Sequence, residues 1–217
     1  MRIRNIDLSL YLVTDRSLSR GRSTFEIVKA AVQGGVTCVQ LRDKKSSTRQ
    51  FLQEAMSLRD FLKSLKIPLI INDRLDIAMA AEADGVHLGQ DDLPLKLARK
   101  IVKEKMIIGI SVESVDDAVK AQTQGADYVS ASPIYSTPTK PDTAPPLGLA
   151  GLIQIRNAVT IPLVGIGGIH LNTLEPVIRH GANGIAVVSA IVSAVDPEAE
   201  TRKLKQAILT IRNAESQ

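Results

Sequence analysis

Short apolar runs recur along the chain. Each ends in polar residues or glycine and is followed by a longer stretch whose apolar positions return every three or four residues. Residues 8–13 form the first run, ending in Thr14-Asp15-Arg16. Ser23-Thr-Phe-Glu26 then has the form of a capping box, and Ile27, Val28, Ala30, Ala31 and Val32 predict a helix face that stops at Gly34-Gly35. The same alternation predicts strands at 36–41, 68–73, 85–90, 106–110, 127–131, 161–166 and 184–188, with Ser111 closing the fifth. Helices are predicted at 48–65, 76–83, 95–102, 114–125, 149–158, 172–180 and 197–211. Residues 132–147 break the pattern. They are rich in proline and threonine without periodicity, and a long irregular segment inside a compact domain is usually functional.

Several units end alike, as Gly34-Gly-Val, Ala83-Asp-Gly-Val, Gly125-Ala-Asp-Tyr-Val and Gly181-Ala-Asn-Gly-Ile. The pattern suggests a left-handed glycine at the helix end and immediate entry into an apolar strand. About eight such units predict an α/β fold, a (β/α)8 TIM barrel, with a doubly wound open sheet as the competitor. A length of 217 residues with no linker suits one domain over 1–217.

Composition narrows the partners. The net charge of +4 is scattered among acidic residues, and aromatics are 3% with no Trp, so small anionic ligands are expected rather than nucleic acid. Cys38 stands alone inside an apolar run, which predicts a buried, inert thiol and suits a cytoplasmic protein. No apolar run approaches the roughly 18 residues of a membrane span, and residues 1–6 lack the apolar core of a signal peptide. No membrane association is expected.

In a barrel of this kind the chemistry collects at the carboxyl ends of the strands. Strand parity puts Val36, Cys38, Gln40 and Arg42 on the inner face and Val39 and Leu41 against the helices, with Lys44 just beyond the mouth. Asn72-Asp73 ends the third strand and Asp91-Asp92 follows the fourth. Carboxylates from neighbouring strand ends beside Arg and Lys suit Mg²⁺ held against a pyrophosphate, although Asp91 or Asp92 taken alone reads first as the N-cap of the next helix, and the two can share both jobs. Ser111, Thr137, Thr139 and Lys140 add hydroxyls and a cation, the last three in a lid-like loop. Leu163-Val-Gly-Ile-Gly-Gly168 and Val188-Ser189 have the form of a second phosphate site, closed by backbone N–H groups. Asp76 and Asp84 look structural. His87 looks like a packed core histidine, and His170 and His180 look like surface or loop residues. Neither an activated Ser nor a Cys–His pair is evident.

Tyr11-Leu-Val-Thr-Asp15, Gln40-Leu-Arg-Asp-Lys44, Ile71-Asn-Asp73, Gly85-Val-His-Leu-Gly-Gln-Asp-Asp92, Gly109-Ile-Ser111, Thr137-Pro-Thr-Lys140, Gly165-Ile-Gly-Gly168 and Val188-Ser-Ala190 together resemble the thiamine phosphate synthases, in order and over nearly the whole chain. The resemblance implies a Mg²⁺-dependent transferase acting on small phosphorylated substrates. It would join hydroxymethylpyrimidine pyrophosphate to thiazole phosphate and release pyrophosphate. It puts pyrophosphate and metal ligation on Arg42, Lys44, Asn72, Asp73, Asp92, Ser111 and Lys140, with catalysis carried by Arg42, Lys44, Ser111 and Lys140. It sets Gln40 against the pyrimidine and the thiazole phosphate against Thr137, Thr139, Gly168, Val188 and Ser189. A thiazole tautomerase of the same superfamily and a non-catalytic phosphate-binding barrel are the alternatives, and a homodimer paired through outer helices is expected.

Overall fold

The computed structural model describes residues 6–137 and 145–215. Its strands are β1 (Leu10–Val13), β2 (Cys38–Leu41), β3 (Leu69–Asn72), β4 (Gly85–Leu88), β5 (Ile107–Val112), β6 (Tyr128–Ala131), β7 (Leu163–Ile166) and β8 (Gly184–Val187). Each pairs in parallel with the next, and β8 returns to β1 with Leu10 beside Ile185, so the sheet closes into the expected barrel. The helices are α1 (Thr24–Gly34), α2 (Thr48–Ser64), α3 (Leu75–Ala80), α4 (Leu95–Val102), α5 (Val115–Thr123), α6 (Gly148–Ala158), α7 (Leu174–Arg179), α8 (Ser189–Val192) and α9 (Pro197–Glu215). No described helix is long and apolar enough to cross a membrane.

Local chemistry sets the helix ends. At α1 the Ser23 hydroxyl accepts from Glu26 N–H at 3.2 Å, and the Glu26 carboxylate accepts from Ser23 N–H at 2.8 Å. Ser47 and Gln50 repeat this reciprocal cap at α2. The shared helix endings differ in detail: Gly35, Gly125 and Gly181 take the left-handed conformation, but before β4 it falls on Glu82, with φ 51°. Ser111 lies inside β5 rather than closing it, and α8 is an extra turn after the last strand.

Parity along each strand divides the core in two. Val39, Leu41, Leu69 and Ile71 pack outward against the helices. Tyr11, Cys38, Ile70, Ile107, Tyr128 and Val164 fill the barrel interior. Two residues further along their strands, the inward positions turn polar: Cys38 gives way to Gln40, Ile70 to Asn72 and Tyr128 to Ser130. The barrel is therefore an apolar plug under a polar ring at the carboxyl ends of its strands. Burial pushes the Cys38 thiol well above the ordinary thiol range, in keeping with an inert core residue.

Gly109 makes room in this plug. It sits beside Tyr128 in the β5–β6 register, and a Cβ built on it would lie 2.1 Å from Tyr128 Cζ. Gly109→Ala is expected to lower the melting temperature by about 4–10 °C, the cost of overpacking a closed core. Unchanged melting would be incompatible with Tyr128 lying across the barrel.

Candidate active site

A cavity of about 990 Å³ opens at the carboxyl ends of the strands. Gln40, Arg42, Lys44, Asn72, Asp73, Asp92, Ser111, Thr137, Gly168, Val188 and Ser189 all line it, contributed from six strand ends and the loop after β6. Residues 80 or more apart in sequence are thus brought to one mouth by barrel closure. Thr139 and Lys140 lie outside the described residues. Asp91 lines the cavity as well.

The wall from β2 to β4 carries the charge. Arg42 is fixed at both ends: its N–H donates to Thr14 Oγ1 at 2.9 Å, and its guanidinium lies 2.7 Å from Asp15 Oδ2. Lys44 pairs with Asp73, whose backbone is left-handed at φ 61°, a conformation Asp tolerates better than most residues. Neither Asp91 nor Asp92 caps a helix. Pro94 takes the N-cap position of α4, and Asp92 Oδ2 instead accepts from Gly89 N–H at 2.7 Å. Burial, and then the neighbouring Asp73 carboxylate, raise the Asp92 carboxyl above its ordinary value.

Two neighbouring carboxylates on one wall of an open cavity suit a cation. Among the described residues no three His, Cys, Asp or Glu side chains converge on a common point. A pair of carboxylates such as Asp73 and Asp92 still suits Mg²⁺, which takes few protein oxygens and completes its shell with water and phosphate oxygens. The fit carries a stability consequence. A carboxyl whose pKa is raised by folding leaves the folded state binding more protons, so stability falls as pH rises through that window and is lowest once the group is ionised. Without Mg²⁺ at neutral pH, Asp92→Asn is expected to melt about 1–2 °C higher than the parent, a small gain because the group is partly solvated. In saturating Mg²⁺ the order should reverse; a variant that melts lower without the metal would contradict the strained pair.

The opposite wall is built from backbone. Gly167 and Gly168 are left-handed, at φ 98° and 65°, and the start of the β6–α6 loop packs directly on them. Tyr135 N–H donates to Gly167 O at 3.0 Å, holding this loop against the tip of β7. Gly165 serves another purpose, since a Cβ on it would lie 2.6 Å from Val177 of α7. Val188 and Ser189 stand at the start of α8, and the exposed loop residue His170 reaches the rim. His180 is exposed at the end of α7, while Asp76 and Asp84 are structural: Asp76 pairs with Arg74 and Asp84 accepts from Leu69 N–H.

The floor holds what sequence reasoning missed. His87 is buried, as expected of a packed core histidine, and both of its ring nitrogens are engaged. Its Nε2 lies 2.9 Å from Ser111 Oγ and its Nδ1 lies 3.0 Å from the Tyr128 hydroxyl, a pair of contacts that the sequence alone did not reveal. Tyr11 and Tyr128 join it from β1 and β6. The available signal was parity, since both tyrosines fall on inward positions of their strands.

Comparison with known proteins gives the family. The family model described as thiamine monophosphate synthase matches residues 10–191, from the first strand to α8. The thiamine-phosphate synthase of Syntrophomonas wolfei is 52% identical over 202 residues, covering 93% of this chain and 97% of its own. That of Albidiferax ferrireducens is 51% identical over 201 residues, covering 93% and 92%. The solved thiamine phosphate pyrophosphorylase from Pyrococcus furiosus superimposes with a TM-score of 0.87 at 36% identity, over 95% of this chain and 98% of that one. Shared sequence and a shared barrel thus extend over nearly the full length on both sides, and the chain belongs to the thiamine monophosphate synthase family.

Proposed function

We propose that the protein is a transferase that joins 4-amino-2-methyl-5-hydroxymethylpyrimidine pyrophosphate to 4-methyl-5-(2-phosphoethyl)thiazole, giving thiamine phosphate and pyrophosphate. Its relatives carry the name of this activity over nearly their whole length. The observation that carries the reading is the two-sided cavity: paired cations and paired carboxylates on one wall, a glycine-built cradle on the other.

Each wall suits one substrate. Arg42 and Lys44 would hold the pyrophosphate, with Asn72 and the Ser111 hydroxyl adding neutral hydrogen bonds. Gln40, deeper on the same wall, would hold the pyrimidine. Thr137, the Gly168 backbone, Val188 and Ser189 would hold the thiazole phosphate near the first turn of α8, and the family resemblance assigns Thr139 to the same phosphate and Lys140 to the pyrophosphate. Asp73 and Asp92 would hold Mg²⁺, which when bound neutralises charge on the pyrophosphate oxygens.

Bond breaking then leads. The groups facing the pyrophosphate stabilise its departure from the methylene carbon, and the thiazole nitrogen, fixed on the far wall, attacks the cation-like carbon left behind. Incubation of the pure protein with both phosphorylated halves is expected to give equal amounts of thiamine phosphate and pyrophosphate, and only with Mg²⁺ present. Absence of product with every divalent metal tried would overturn the reading.

A further inference from the structure

Beneath the cavity, side chains from five strands form one file of hydrogen bonds. Gln40 Nε2 donates to the Tyr11 hydroxyl at 2.8 Å, and the Tyr11 and Tyr128 hydroxyls lie 2.8 Å apart. His87 continues the file, with Nδ1 3.0 Å from Tyr128 and Nε2 2.9 Å from Ser111 Oγ. β1 and β6 are not neighbours in the sheet, so the file crosses the barrel interior. Its two ends, Gln40 and Ser111, both face the cavity.

A tyrosine hydroxyl has one proton to give, so the direction of the first link sets the rest. Burial keeps both phenols protonated by pushing them far above their ordinary value. With Gln40 Nε2 as donor, Tyr11 donates to Tyr128 and Tyr128 donates to Nδ1 of His87. A neutral His87 then carries its proton on Nε2 and donates to Ser111. Two groups remain for a ligand: the Ser111 proton and the Gln40 Oε1 acceptor. The reverse run needs the Gln40 amide turned over, and it presents N–H groups at Gln40 and lone pairs at Ser111. A mixed run strands a buried tyrosine proton against the Cys38 thiol, a weak partner. Among the described residues no buried side-chain polar atom lacks a partner.

The geometry points to a coupling device: the anion held at one end of the file decides how the pyrimidine is recognised at the other. An anion at Ser111 takes a proton donor and thereby selects the run in which Gln40 turns Oε1 toward the ring. That oxygen matches an amino substituent and repels an oxo one. Tyr11, Tyr128 and His87 are positioning residues that act through Gln40 and Ser111. The same run explains why the Ser–His contact is not a nucleophile and its base, because the imidazole donates to the serine rather than taking its proton. The inference rests on the reading above that Gln40 meets the pyrimidine and Ser111 the pyrophosphate.

Two measurements test it. Nitrogen-15 NMR of the histidine rings in the parent protein, with Mg²⁺ and inorganic pyrophosphate and with His87→Asn to identify the signals, is expected to show a neutral His87 protonated on Nε2. A ring protonated on Nδ1, or on both nitrogens, overturns the proposal, and this result needs neither turnover nor a foldable tyrosine variant. The second compares kcat/KM for the 4-amino pyrimidine pyrophosphate and its 4-oxo analogue in the parent, Tyr11→Phe and Tyr128→Phe. Their ratio is expected to fall about tenfold in each variant, the effect of freeing one neutral hydrogen bond, with KM for the thiazole phosphate unchanged. A purely structural role would lower both rates together, and an unchanged ratio in folded variants overturns the coupling. If the parent forms no product from either pyrimidine, the transferase reading itself fails while the NMR result still decides the direction of the file.

Discussion

Replacing Arg42 with alanine is expected to lower kcat by about 10²–10³-fold while KM for the thiazole phosphate stays within about twofold. The side chain is preorganised. Thr14 clamps its backbone, accepting from Arg42 N–H at 2.9 Å and donating to Arg42 O at 3.3 Å. Asp15 holds the guanidinium at 2.7 Å while also accepting from Ser17 N–H, so neither end of Arg42 needs to reorganise when charge develops on a leaving pyrophosphate. A charge placed in advance stabilises the transition state more than the ground state, and its loss therefore appears in turnover. Arg42→Lys should recover only part of the rate, since a point charge cannot reproduce the planar fork. Steady-state kinetics with each substrate varied in turn settles the matter: comparable damage to kcat and to thiazole phosphate binding would remove Arg42 from the leaving-group side.

Barrel closure and the inner-face parity of Cys38 and Gln40 were legible because a parallel barrel forces each strand to bury both faces, and alternation in β2 is strict. The carboxylates and cations at the mouth were legible because the polar residue after each apolar run must lie at the same end of the barrel. Strand lengths were less so. Residues 36 and 37 fall inside the predicted strand, yet β2 begins at Cys38: Val36 is buried by the core, and Thr37 is tied to Leu10 through its N–H and its hydroxyl before the regular ladder starts. Asp91-Asp92 before a helix has the sequence form of a cap. Whether a carboxylate caps or turns back to Gly89 depends on the path of the loop, which local composition does not encode. The file beneath the cavity was hidden for a stronger reason. Tyr11 and Tyr128 stand 117 residues apart and meet only through the stagger of a closed sheet, so parity gives their direction but not their height along the axis. Gly109 was the available hint, an inward position with no side chain, left empty for the ring that fills it.

Gly168→Ala is expected to do the converse of the Arg42 change, raising KM for the thiazole phosphate by about 10–100-fold, a loss of about 1.4–2.8 kcal/mol of binding, while kcat at saturation falls no more than about threefold. Two costs coincide at this residue. Its φ of 65° is left-handed, which an alanine adopts only with strain of about 1 kcal/mol or more. An added Cβ would also stand 2.7 Å from Tyr135 Cβ and 2.8 Å from Ser136 O, at the segment that delivers Thr137 to the cavity. That segment is bonded to the β7 tip through Ile134 N–H to Ile166 O at 2.8 Å, so it can yield only by lifting away and carrying Thr137 with it. Thr173 anchors the other side by donating to Gly168 O at 3.1 Å, so the glycine cannot retreat either. Arg42, Asp73 and Asp92 belong to other strand ends and keep their positions, which is why KM for the pyrimidine pyrophosphate should move far less. Ser189→Ala removes a single hydroxyl from the same cradle and should raise the thiazole phosphate KM by only about five- to tenfold. A Gly168→Ala protein that binds the thiazole phosphate normally but turns over slowly would assign these glycines to the departing pyrophosphate, and the division of the cavity into an attacking wall and a leaving wall would have to be abandoned.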